Sequence, residues 1–120
     1  MRVLETEIEI NASAERVWKI LTDLERYPEG KGMVFKPTVL SAKENSELRW
    51  LGRLLFPGLF DGEHIFTISR NEGGCRLVQK EIFRGLLVPV MWGSLEKHTR
   101  AGFELMNTAL KERAESVDIP

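Results

Sequence analysis

The chain has 120 residues, of which 42% are hydrophobic and 29% charged, and its formal net charge at pH 7 is -1. This length fits one domain over residues 1–120, and the charge balance gives no basic excess that would favour nucleic acid as a partner. No apolar run is long enough to span a bilayer, so we expect no integral membrane segment. A single cysteine, Cys75, excludes an internal disulfide and, with no signal-peptide pattern at the start, predicts a cytoplasmic location.

Apolar periodicity predicts one strand and two short helices in the first quarter of the chain. Residues 3–10 alternate between apolar or Thr side chains and glutamates, as in a half-buried strand. Ser13 can cap the first helix through its hydroxyl. We expect a second short helix to begin at Asp23 and to end at Pro28, because the residue before a proline disfavours helical geometry.

Four further strands follow, and we expect them to pair as antiparallel neighbours. The alternating segments are residues 33–41, 47–55, 62–70 and 75–84. Pro37 predicts that the first of them is an edge or bulged strand. The sequence Asn-Glu-Gly-Gly at residues 71–74 predicts a tight hairpin turn between the last two. An apolar loop at residues 56–60, bounded by Phe56 and Phe60, separates the strand at residues 47–55 from the strand at residues 62–70.

One long amphipathic helix is predicted from about Val90 to Glu115, with Pro89 near its first turn. Its apolar stripe recurs at steps of three and four residues and consists of Trp92, Leu95, Thr99, Phe103, Met106 and Leu110. Helices kept apart from a run of antiparallel strands predict an α+β domain. We expect the sheet to wrap around this long helix.

Six segments, taken in their order along the chain, carry a resemblance to a known family. They are IEINASAERVW and LTDLERYP (residues 8–18 and 21–28), LRWLG and FDGEHIF (48–52 and 60–66), and FRGLLVP and TRAGFELMN (83–89 and 99–107). This order resembles the START-like (SRPBCC) superfamily, which includes polyketide cyclase/dehydrase and Bet v 1-like proteins. The resemblance implies a helix-grip fold and a hydrophobic small molecule bound in a cavity between sheet and helix.

The sequence departs from the family pattern after Glu29. The family has two further strands there, so the sequence predicts five strands where the family has seven. Two strands and a turn need roughly 20 residues at usual strand lengths. The segment is either deleted or belongs to a longer natural chain, and we favour the second explanation. Loss of two inner strands would expose backbone edges and half of the cavity wall.

Polar side chains on the expected concave face are the candidates for chemistry. His64 and Glu81 could act as an acid–base pair in an enzyme of the cyclase or dehydratase type. The alternative, which we favour, is that they bond to each other or to a water as a structural pair. Gln79 could orient a ligand carbonyl or make a purely structural hydrogen bond. Because no catalytic set stands out, we expect a binding module before an enzyme.

The candidate ligand contacts are mostly aromatic residues of the sheet and the long helix. Together with the three polar residues His64, Gln79 and Glu81, they are Trp50, Phe66, Phe83, Trp92, Phe103 and Met106. Without the resemblance, the same stripe predicts an ordinary packed core. Two histidines and one cysteine, spaced far apart, and no phosphate-binding loop predict neither a metal nor a cofactor.

Three functions remain open at this stage. The first is binding of a hydrophobic or amphipathic small molecule, lipid-like or polyketide-like. The second is a polyketide cyclase or dehydratase reaction that uses His64 and Glu81. The third is partner binding through the loop at residues 56–60, which could be a lid, a hydrophobic plug or the contact of a homodimer.

Overall fold

The computed structural model describes residues 1–26, 38–53 and 58–116. In chain order the elements are β1 (Arg2–Ile10), α1 (Ala14–Arg26), β2 (Thr38–Lys43), β3 (Glu47–Arg53), β4 (Asp61–Asn71), β5 (Gly74–Arg84) and α2 (Val88–Glu115). The predicted α+β class, with one long C-terminal helix against an antiparallel sheet, is confirmed. Within the described ranges, no helix is both long and apolar enough to cross a membrane.

The five described strands form one antiparallel sheet in the order β1-β5-β4-β3-β2. Strands β1 and β2 are therefore the edges of this sheet. The edge position of β2 agrees with the prediction made from Pro37 for the strand at residues 33–41. The register places Trp50 opposite His64 and His64 opposite Glu81. Alternate side chains of each strand face the helices, so the register decides which inward residues become neighbours.

Two apolar clusters lie between the sheet and the helices. The larger one contains Ile10, Ala14, Val17, Leu21, Leu48, Phe66, Ile68, Cys75, Leu77, Leu110 and Ala114. The smaller one, near the start of α2, contains Leu4, Phe60, Phe83, Val88 and Phe103. Helix α2 packs mainly on β1 and β5 and against α1, and α1 also contacts β4. The inner faces of β2 and β3 lie outside the main contact surface of α2.

The prediction of two short helices after β1 is wrong at Asp23. Helix α1 is one continuous helix that passes through this residue. Val17 and Leu21, four residues apart, are fully buried in the larger cluster. Packing of such an apolar face stabilises a helix more than a single capping residue can interrupt it. The predicted helix end at Pro28, the departure after Glu29 and the first part of the strand at residues 33–41 lie outside the described residues.

Gly85 joins β5 to α2 and brings two loops into contact. Its φ of +129° lies in the left-handed region, which favours glycine. A Cβ atom at this position would collide with the carbonyl oxygen of Leu59. The close approach lets the N–H of Leu86 donate to the oxygen of Gly58 (3.0 Å), and the N–H of Leu87 donate to the oxygen of Leu59 (3.1 Å).

We predict that Gly85→Ala lowers the free energy of unfolding by about 1–3 kcal/mol, because alanine is strained at this φ and its methyl group meets a backbone oxygen. Gly93→Ala is the matched control, since Gly93 lies in α2 with no atom within 4 Å of its Cβ position. That substitution should stabilise the helix by up to about 1 kcal/mol. Urea denaturation followed by circular dichroism measures both changes, and equal effects would contradict this role of Gly85.

Candidate functional site

Three of the predicted site residues lie side by side on the concave face of the sheet. Trp50 of β3 is opposite His64 of β4, and His64 is opposite Glu81 of β5. Side chains of neighbouring strands that stand opposite each other lie on the same face. The structure therefore brings Trp50, His64 and Glu81 into one row, which we call the polar row.

The imidazole ring of His64 is packed among aromatic rings. Its centroid lies 4.5 Å from that of Phe66, 5.0 Å from that of Phe103 and 4.9 Å from that of Trp50. Only 8% of the residue is exposed. This burial lowers the pKa of His64 to about 4, although the hydrogen bond to the side-chain oxygen of Gln79 opposes the shift. The ring is therefore neutral at pH 7.

A buried chain of hydrogen bonds, which we call the amide chain, connects His64 to α2 and to β1. His64 Nε2 lies 2.9 Å from the side-chain oxygen of Gln79. The Nε2 of Gln79 donates to Oδ1 of Asn107 (2.8 Å), and the Nδ2 of Asn107 donates to the hydroxyl of Thr6 (2.9 Å). Both amide side chains are buried. The amide chain thus ties β4, β5, α2 and β1 together.

The direction of the amide chain fixes the tautomer of His64. Because the amide nitrogen of Gln79 donates towards Asn107, its oxygen is left to accept a proton from His64 Nε2. The Nδ1 atom of the neutral ring is then an acceptor with no partner among the described residues. Both ends of the Gln79 amide bond to protein groups, as in a structural hydrogen bond.

Glu81 places a carboxyl group on the polar row without a partner. No hydrogen bond or ion pair joins it to any residue in the described ranges. The carboxyl group lies over Gly62, where the Cβ of any other residue would collide with Oε2. It forms no hydrogen bond with His64, although the two residues are opposite each other. Burial raises the pKa of Glu81 to about 7, so both protonation states are present near neutral pH.

The surroundings of the polar row contain two further unusual features. Gly52 and Gly62 are opposite each other on β3 and β4, so the backbone beside Glu81 carries no side chains there. The indole Nε1 of Trp50 is buried and has no hydrogen-bond partner in the described part of the chain. A buried donor of this kind costs about 1–3 kcal/mol if it stays unpaired, and such groups are rare in folded proteins.

The other predicted ligand contacts are divided between the two apolar clusters. Phe66 and Met106 belong to the larger cluster, whereas Phe83, Trp92 and Phe103 belong to the smaller one. Phe83 and Trp92 meet edge to face at 5.7 Å. In the described part of the chain these aromatic side chains pack against each other, as an ordinary core would.

The apolar loop at residues 56–60 contributes to the smaller cluster through its last residue. Phe60 is buried, with its ring centroid 6.0 Å from that of Phe83. Phe60 therefore contributes to the core and has little surface left for a partner. Phe56 and Pro57 lie outside the described residues.

Sequence reasoning missed Asn107 and Thr6 as members of the site. The signal that could have found Asn107 lies in α2, where the buried positions include Phe103, Asn107 and Leu110. Asn107 lies four residues after Phe103 and three before Leu110, so it interrupts the apolar stripe. A buried asparagine must find hydrogen-bond partners. Asn107 and Thr6 also line a crevice of about 220 Å³ between β1 and α2.

We predict that the effect of Glu81→Gln on the free energy of unfolding is more stabilising at pH 8 than at pH 5, by about 2–3 kcal/mol. The folded-state pKa of Glu81, about 7, lies above the ordinary value of 4.5. Its contribution to stability is therefore complete below pH 4.5 and is lost as the pH rises through 7. Urea denaturation at both pH values measures the change. Glu112→Gln, at an exposed position of α2, is the control, and a pH-independent effect of Glu81→Gln would contradict the prediction.

Comparison with known proteins identifies the fold. No family model matches the sequence, and no curated protein matches it significantly. Among solved structures, the Aha1 dimer from Colwellia psychrerythraea superposes with a TM-score of 0.72 at 17% identity, covering 96% of this chain and 97% of that chain. A START superfamily protein from Mycobacterium smegmatis gives 0.69 at 20% identity, covering 97% and 99%.

A third similar structure is the di-domain ARO/CYC StfQ from the steffimycin biosynthetic pathway. It gives a TM-score of 0.68 at 10% identity, and the match covers 94% of this chain and 50% of that chain. At such identities the likeness concerns the backbone and not the ligand. The chain therefore has the START-like (SRPBCC) helix-grip fold, as the sequence resemblance implied.

Proposed function

We propose that this chain binds a hydrophobic or amphipathic small molecule between the sheet and α2, with the polar group of the ligand on the polar row. The observation that carries the proposal is three polar groups on neighbouring strands that have no hydrogen-bond partner among the described residues. They are the indole N–H of Trp50, Nδ1 of His64 and the carboxyl group of Glu81. A ligand that satisfies them offsets the cost of leaving them unpaired.

The chemistry of the polar row describes the ligand that suits it. A carbonyl or ether oxygen can accept from Trp50, and a hydroxyl can donate to Nδ1 of His64. Glu81 can donate or accept, because its pKa of about 7 leaves both protonation states present. Val39, opposite Trp50 on β2, is exposed and extends the row with apolar surface. An apolar body with an oxygen-bearing group matches this arrangement.

A cyclase or dehydratase reaction is the second candidate, and the pKa of Glu81 favours it. A general acid or base works best when its pKa lies near the working pH. Glu81 meets this condition, whereas the pKa of His64, about 4, makes the imidazole a weak base. His64 would then position a substrate hydroxyl and Glu81 would transfer the proton. One structural neighbour is an ARO/CYC protein.

Assembly and location remain proposals. One structural neighbour was solved as a dimer, which supports the expectation of a homodimer. The buried position of Phe60 disfavours the loop at residues 56–60 as its contact. The cytoplasmic location stays a prediction from the sequence.

We predict that the wild-type protein takes up Nile red, a neutral apolar dye with a carbonyl group, and that Trp50→Phe weakens its affinity roughly fivefold through loss of one hydrogen bond. Trp18→Phe is the matched control, because Trp18 is a half-buried tryptophan of α1 and not part of the polar row. Fluorescence titration measures both affinities. Native mass spectrometry of the purified protein should also show a bound apolar molecule. Absence of dye uptake, or equal effects of the two substitutions, would overturn the binding proposal.

The enzyme hypothesis predicts a different pattern for Glu81→Gln. Turnover of a linear poly-β-ketone substrate should fall by roughly 100-fold or more, since a positioned proton donor typically contributes that much. Nile red affinity should stay within about twofold, because the amide keeps the size and hydrogen bonding of the carboxyl group. Product analysis by chromatography measures turnover. If the wild-type protein converts no such substrate while it binds the dye, the enzyme hypothesis fails and the binding proposal stands.

A further inference from the structure

One end of the molecule presents three large apolar side chains to solvent. At the connection between β5 and α2, Leu86, Val90 and Met91 are 78%, 83% and 40% exposed. We call these three residues the apolar tip. Leu86 and Val90 are four residues apart and flank the first turn of α2. The surrounding segment, residues 85–95, contains no charged residue.

The backbone that carries the apolar tip is held by hydrogen bonds and by core packing. The backbone N–H of Leu86 donates to Gly58, and the next residue is bonded in the same way to Leu59. Val88, between the exposed residues, is buried in the smaller apolar cluster. The exposure is therefore a property of an ordered helix start. Side chains this large and this exposed at one spot usually indicate an interaction surface.

The composition of the helix start is also unusual. Acidic side chains are favourable in the first turn of a helix, because they offset the positive end of the helix dipole. The first turn of α2 contains none. No acidic side chain of that turn therefore offsets the helix dipole next to the apolar tip, and this favours a partner with negative charge.

Basic side chains flank the same end of the molecule. The guanidinium of Arg2 lies 5.5 Å from the ring centroid of Trp92, in the second turn of α2. Arg84, directly before Gly85, has a half-exposed side chain. Glu63, an acidic group nearby, is largely buried and paired with Arg84 and Arg49. Asp61, also at this end, accepts a hydrogen bond from the N–H of Gly58 (3.4 Å). The guanidinium groups of Arg2 and Arg84 thus flank the apolar tip, while the nearby carboxyl groups of Glu63 and Asp61 are engaged in contacts within the protein.

We propose that the apolar tip docks on an anionic lipid bilayer surface. Leu86, Val90 and Met91 enter the interfacial layer of the bilayer, while Arg2 and Arg84 contact the phosphates of the headgroups. Trp92 follows Met91 in α2 and its ring lies beside the guanidinium of Arg2, and indole rings favour the membrane interface. A stable protein interface buries about 800 Å² on each partner, which is more than three side chains supply. The docking does not depend on a ligand in the polar row.

The test uses co-sedimentation with vesicles made of equal parts phosphatidylcholine and phosphatidylglycerol, and with vesicles of phosphatidylcholine alone. Wild-type protein should bind the mixed vesicles and bind the neutral ones more weakly. The double variant Leu86→Glu/Val90→Glu should lower partitioning roughly 100-fold, about tenfold for each apolar side chain withdrawn. Arg2→Gln/Arg84→Gln should lower it roughly tenfold or more on the mixed vesicles only.

Leu105→Glu is the matched control, because Leu105 is an exposed leucine (74%) of the same helix. It lies fifteen residues beyond Val90, roughly 22 Å along the axis. This variant should bind the vesicles like the wild type. Equal losses for Leu105→Glu and the tip variant would overturn the proposal, since the whole helix would then lie on the membrane. Full binding by the tip variant would overturn it as well.

Two further measurements keep the result unambiguous. Circular dichroism and Nile red uptake should be unchanged in the tip variant, because the substituted side chains are exposed and lie away from the polar row. Light scattering gives the oligomeric state. If the wild type is a dimer that the tip variant cannot form, and neither binds vesicles, a second copy of the chain occupies the tip and the membrane proposal is wrong.

Discussion

The amide chain joins the parts of the molecule that apolar packing alone would leave free to slide. Gln79 and Asn107 are buried amides, and each loses its hydration when the chain folds. Their groups are satisfied only if β4, β5, α2 and β1 stand in one arrangement. A slip of one residue in β5 would turn Gln79 to the outer face of the sheet. The amide chain therefore fixes both the register of the sheet and the position of α2 upon it.

The same constraint determines the chemistry of the polar row. Gln79 accepts from Nε2 of His64, so the imidazole has a fixed tautomer and only its Nδ1 atom is left for another group. Glu81 is left half-buried and without a partner among the described residues, and desolvation raises its pKa, while that of His64 falls. The two shifts act on stability in opposite directions. Between pH 4 and 6.5 His64 binds a proton more readily in the unfolded chain, so its contribution to stability falls as the pH falls. Glu81 binds a proton more readily in the folded chain, so its contribution to stability falls as the pH rises from 4.5 to 7.

Local patterns in the sequence were sufficient to predict the strands and α2, because each strand alternates with period two and α2 repeats every three to four residues. The row of Trp50, His64 and Glu81 could be anticipated only as a shared face, since the pairing of strands decides which residues meet. Asn107 and Thr6 are 101 residues apart, and no local pattern connects them. Ile65 shows another limit. It lies on the outer face, yet it is buried, because Arg49 and Lys80 stand on either side of it and long side chains can cover an apolar neighbour.

The position of α2 separates the parts of the sheet that stabilise the fold from those available to a ligand. The helix packs on β1 and β5, where the aromatic side chains of the smaller cluster are close-packed. Residues such as Phe83 and Phe103 are therefore part of this packed cluster. The inner faces of β3 and β2 lack this cover, and Trp50 and Val39 lie there. Glu81 stands at the boundary between the two regions, which is why its carboxyl group is partly desolvated without a partner among the described residues.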